Sequence, residues 1–169
     1  MLTNVSVRTP ATIAAAALTL LTGCSDDDAA LRSPNRGTGS TTEATTVENA
    51  FIVPAFVPGR CALQLNAGAA LRFTVTNNRD AESETLLAVS TDSARQARVP
   101  ADAVIPPEST VAYGQPAGPD ASGTLAPVRL DGLDPGLKPA KTADVTFSFE
   151  RAGDITIPVP VNACPVQTP

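Results

Sequence analysis

The chain has 169 residues, seventeen acidic and twelve basic side chains, no histidine, no tryptophan and a formal charge of −5. An acidic balance without a basic stretch excludes the phosphate-neutralising surface that nucleic acid requires, so nucleic acid is not an expected partner. Without histidine there is no Ser-His-Asp or Cys-His set, no Gly-rich phosphate loop is present, and the chain reads as a non-enzyme.

The elements begin with a leader. A short polar opening carries Arg8, and the uncharged run ATIAAAALTLL over residues 11–21 follows. That run has the length of a secretory apolar region and is too short to span a bilayer as a helix. It ends in Leu21-Thr22-Gly23-Cys24, which resembles the bacterial lipobox. The resemblance implies cleavage before Cys24 and acylation of its sulfur, with palmitate-type chains holding the protein at the extracytoplasmic face of the cell membrane. A thiolate is the side-chain nucleophile best suited to accept the lipid. Residues 1–23 are thus expected to be a lipoprotein signal peptide and 24–46 a lipidated N-terminus and disordered tether. The stretch SDDDAALRSPNRGTGSTTEATT has too little apolar surface to offset its ordering entropy. Asp26, Asp27 and Asp28 open that tether and read as a solvated spacer, since a divalent-ion site needs more oxygen ligands than they offer.

From Val47 onward the pattern becomes that of strands. In LRFTVTNN, Leu71, Phe73 and Val75 share one face; in ADVTFSFE, Val145, Phe147 and Phe149 do so; in DITIPVPV, Ile155, Ile157, Val159 and Val161 do so. This period of two marks half-buried strands. Shorter candidates are 50–57, 85–91, 109–113 and 128–133, separated by Gly, Pro, Asn and Asp clusters. Residues 94–103 could hold one helical turn. Seven to nine short antiparallel strands at this spacing predict an all-β Greek-key sandwich or barrel over residues 47–166, with 167–169 as a tail. Pro158 and Pro160 remove two N–H groups from the same side of the last strand, which predicts that this strand lies at a sheet edge.

Three side-chain groups are candidates for contact or chemistry. With Cys24 lipidated, Cys61 and Cys164 remain, and an oxidising compartment predicts a disulfide between them. The alternative is a thiol pair able to hold Cu(I) or Zn(II). Glu82 and Glu84 lie in the polar stretch NNRDAESE and read as a solvated loop in preference to a glycosidase-type pair. YGQPAGPDASGT, with Tyr113 and Gln115, reads as a flexible connection or a contact loop.

The blocks LRFTVTNN, ETLLAVSTDSA and VRLDGLDPGLKPAKTADVTFSFERAGDITIPVPV resemble the PCu(A)C family of extracytoplasmic copper chaperones, and most of all its lipoprotein branch in GC-rich Gram-positive bacteria. The resemblance runs from about Val47 to Val161 and implies a cupredoxin-like Greek-key barrel. Members of that family hold Cu(I) with two histidines and two methionines, a donor set suited to a soft ion. Here the only methionine is Met1, and Pro127-Val128-Arg129 stands where the family has His-x-Met. The first family histidine falls near Val99 or Pro100, and residues 100–109 are too few for the family's first methionine loop. Arg129 would place a positive charge where the cation sits. No cofactor and no metal site are therefore expected. The function expected is that of a membrane-anchored, non-enzymatic binding or scaffold module with an unidentified cell-envelope protein partner. The alternative is copper handling through Cys61 and Cys164.

Overall fold

Alternating apolar residues build two facing sheets, seen in a computed structural model that describes residues 38–42, 44–116, 118 and 121–164. The strands among them are β1 (Thr38–Thr41), β2 (Thr45–Pro54), β3 (Ala69–Asn77), β4 (Glu84–Ser90), β5 (Ala94–Arg98), β6 (Val104–Ile105), β7 (Ser109–Tyr113), β8 (Ala121–Leu125), β9 (Val128–Leu133), β10 (Thr142–Phe149) and β11 (Gly153–Pro160). One sheet runs β1-β2-β3-β7-β8, with β9 on β3 and β5 on β9; the other runs β11-β10-β4-β6. The chain passes repeatedly from one sheet to the other, as Greek-key connections do.

The central strand is β3. It pairs with β2 along one edge, and its other edge is shared: β9 takes Ala69–Leu71 and β7 takes Phe73–Asn77. Its inward residues Leu71, Phe73 and Val75 are fully buried, as the period-two pattern requires. The Phe73 ring stacks on Tyr113 of β7 at 4.4 Å and meets Phe147 of the opposite sheet edge-on at 4.9 Å. These three rings therefore join the two layers. In β2 a bulge puts Asn49 and Ala50 opposite Phe73, with Asn49 in the left-handed region. The extra residue restores the inward direction for Ile52 after Val47.

All seven strand segments expected from the sequence are present, and the last strand does lie at the edge of its sheet. Four further strands raise the count to eleven. The helical turn expected within 94–103 is instead β5, followed by a loop that leads to β6. ARQAR has no β-branched residue and weak strand propensity, and pairing with β9 overrides that preference. The pairing is antiparallel except between β7 and β8, which run parallel. Ordered structure also starts earlier than Val47: β1 and the first residues of β2 lie inside the expected tether and pair with each other and with β3. Backbone pairing, which a composition rich in Thr and Gly does not reveal, is what orders them. The leader, Cys24, Asp26 to Asp28 and the tail at 167–169 lie outside the described residues. Among the described residues no helix is long and apolar enough to cross a membrane.

Candidate functional site

The antiparallel β5–β9 pair brings together the two segments that the resemblance assigns to metal ligation. Arg98 stands opposite Arg129, with Val99 and Pro100 following the first and Pro127 and Val128 preceding the second. Val128 points into the core and is fully buried. Arg129 therefore takes the outward position, as alternation along a strand demands.

Two like charges in register repel, and one carboxylate offsets this. Arg129 Nε donates to Asp131 Oδ1 at 3.2 Å, and Arg98 Nε forms an ion pair with Asp131 Oδ2 at 3.1 Å. Arg129 also donates through Nη2 to the Ala67 carbonyl. Two glycines lie against arginine side chains, Gly68 beside Arg129 and the Leu130 carbonyl and Gly132 beside Arg95. A Cβ on Gly68 would come within 3.1 Å of Arg129 Nη2, and one on Gly132 within 3.0 Å of Arg95 Nε. Both glycines have positive φ, 71° and 64°, which L-residues avoid. The guanidinium groups stay open to solvent, with 65% of the Arg98 side chain and 55% of Arg129 exposed.

This donor set does not fit a soft cation. It holds no imidazole, thioether or thiolate, and its one carboxylate is shared by two guanidinium groups. Among the described residues no three His, Cys, Asp or Glu side chains gather as a metal group. Residues 100–109 carry the short β6, which pairs with β4. The chemistry that the corner can perform is recognition of anionic oxygen.

Cys61 and Cys164 form a disulfide across 103 residues, with Cα atoms 5.4 Å apart. Cys61 sits in a small hairpin closed by the Phe56–Leu63 bridge, and Cys164 follows Asn162, whose N–H donates to the Ile52 carbonyl at 2.9 Å. The bond thus fastens the end of β11 to the connection between β2 and β3.

Tyr113 is not a surface contact. It is fully buried on Phe73, because it ends β7 on the inward side, and its hydroxyl has no partner among the described residues. Burial pushes its pKa well above the usual phenol range. Gln115 stays near the surface and donates to the Asn49 carbonyl at 3.2 Å, tying the loop to the β2 bulge.

Glu84 also departs from the solvated-loop reading. Its side chain is fully buried at the start of β4, while Glu82 is exposed. Oε1 accepts from the backbone N–H groups of Thr85 and Arg151. Oε2 accepts from Ala152 N–H, Thr45 Oγ1 and Arg79 Nη1. Desolvation pushes its pKa up, but the backbone donors Arg151, Thr85 and Ala152 and the Thr45 hydroxyl outweigh it and leave the pKa below the ordinary glutamate value. With both oxygens saturated by the protein, Glu84 is a structural pin and has no free lone pair for a substrate. The partners that bury it come from four separate segments, so the local sequence could not show it.

The fold is that of a PCuAC-type β-domain, with the Arg98–Arg129 pair on the outer face of β5 and β9. Solved structures similar to it include "Copper-bound PCuAC domain from PmoF2" (23% identity over 75% of this chain and 99% of that one, TM-score 0.54). Others are "Apo PCuAC domain from PmoF1" (19%, 75% and 100%, TM-score 0.57) and "apo PmoF2 PCuAC domain" (21%, 75% and 95%, TM-score 0.52). At these identities the likeness is one of fold. No curated protein sequence matches the chain. Residues 1–161 match the family described as "Putative lipoprotein LpqE-like", and the chain belongs to this LpqE-like lipoprotein family.

Proposed function

We propose that the protein is cleaved before Cys24, acylated there, and held at the extracytoplasmic face of the membrane as a non-enzymatic interaction module. The lipoprotein family match and the LTGC sequence support the anchor. The single observation that carries the second half is the register pair Arg98–Arg129 at the corner where the resembling family holds copper. Cys61 and Cys164 are the soft ligands a copper-carrying alternative would use, and each is bonded to the other. The protein's partners are then the lipid bilayer and a cell-envelope protein reached from the tether.

Expression of wild type and Cys24→Ala in the native host, followed by membrane fractionation, tests the anchor. Wild type is expected in the membrane fraction with an acyl mass on its N-terminal residue, and the variant in the soluble fraction. A Cys24→Ala chain that still fractionates with membranes would contradict it.

A further inference from the structure

Charge is divided unequally between the two sheets. The strands of the four-stranded sheet contain no Lys or Arg, and they carry Glu84, Asp144 and Asp154. The strands of the other sheet carry Arg72, Arg95, Arg98 and Arg129 against Glu48 and Asp131. A protein that is acidic as a whole therefore has one sheet with a local excess of positive charge.

These arginines are neighbours by register. Arg129 of β9 pairs with Arg98 on one side and with Ala70 of β3 on the other, and Arg72 lies two residues along β3 on the same outward face. Arg72 Nε is shielded from solvent and has no hydrogen-bond partner among the described residues. The guanidinium groups that an incoming oxygen can reach are those of Arg98 and Arg129, whose side chains are mostly exposed. Asp131 and the Ala67 carbonyl hold Arg129 in place, so little side-chain freedom remains to be lost on binding.

We propose that this arginine face is a docking surface for the anionic phosphates of phospholipid headgroups. Arginines spread over three adjacent strands, β3, β9 and β5, suit an extended anionic surface better than a single small ligand. Guanidinium groups match phosphate oxygens in geometry, and each basic residue near an anionic bilayer contributes about fivefold to affinity. The location rests on the lipid-anchored reading above: residues 25–37 separate Cys24 from β1, at most about 50 Å when fully extended. At that reach the bilayer is present at high effective concentration. The acidic strands of the other sheet would face away.

The test uses the full chain carrying Cys24→Ser, which has no acyl group, with phosphatidylcholine vesicles that contain or lack phosphatidylglycerol. Co-sedimentation is expected with the anionic vesicles only, and it should weaken as salt rises. Arg98→Gln with Arg129→Gln should reduce it about twentyfold or more. Asp131→Asn keeps both arginines, removes their carboxylate and should tighten binding. A single cooperative thermal transition in each variant verifies that it folds. Equal binding to both vesicle types, or binding that ignores the arginine and Asp131 substitutions, would overturn the proposal. So would capture of inorganic phosphate or an acidic peptide without capture of anionic vesicles. The fractionation experiment reads the anchor and this one reads the arginines, so either can fail alone.

Discussion

Arg98 and Arg129 stand directly opposite one another across β5 and β9, two cations in register on the outer face of a sheet. Such a pair destabilises an antiparallel ladder unless a counter-charge is near, and Asp131 supplies it to both. Asp131→Asn should lower the free energy of unfolding by at most about 1 kcal/mol, since all three side chains are partly exposed. The loss should shrink in concentrated salt, where the two guanidinium groups are screened from each other. Urea unfolding at low and high ionic strength measures both quantities. A loss that does not depend on salt would mean that Asp131 acts by packing and not by charge.

Glu84 should dominate the acid limb of stability. Its folded pKa lies below its unfolded one, so its contribution is fully present above the ordinary glutamate range, roughly pH 4.3, and is lost as pH falls through the lower folded value. Glu84→Gln leaves buried N–H groups facing an amide and should cost about 3 kcal/mol near neutral pH. It should also flatten the fall in stability on acidification. Unfolding curves for both proteins from neutral pH to about pH 3 are the check. Parallel pH profiles would show that other carboxylates carry the effect.

The Cys61–Cys164 bond closes a long loop, and its removal should be costly. The Cys61→Ser, Cys164→Ser double variant is expected to lose about 2–5 kcal/mol. Reduction of the wild type should reproduce that loss. Denatured but unreduced native protein should show no reaction of Cys61 or Cys164 with a thiol reagent; labelling of both would remove the disulfide from the account.

Tyr113 carries a hydroxyl that the core does not use. Tyr113→Phe keeps the stack on Phe73 and deletes an unsatisfied donor, so it should raise stability by about 1 kcal/mol. A measured decrease would reveal a partner for that hydroxyl.

The sequence showed the fold where burial alternates with a period of two. Leu71, Phe73 and Val75, and likewise Val145, Phe147 and Phe149, announce both their strands and their inward faces. What stayed hidden was made by pairing alone. Ala94–Arg98 has helix-compatible residues and becomes a strand because β9 lies beside it, and Thr38–Thr41 is ordered by β2. The candidate corner was half legible. Arg129 and Val99-Pro100 marked where soft ligands are missing, but Arg98, Arg95 and Asp131 became neighbours only through the β5–β9 register. Tyr113 misled because loops and strand ends share the same sequence signals, and only register fixes which way the last residue points.

The central proposal is that the Arg98–Arg129 corner of this domain recognises anionic oxygen and does not hold copper. Titration of the full, disulfide-bonded chain with Cu(I) against a competing chelator tests it most directly. The account predicts no stoichiometric copper on the wild type and none on an Arg98→Gln, Arg129→Gln variant. One tightly held Cu(I) per chain on the oxidised wild type would contradict it.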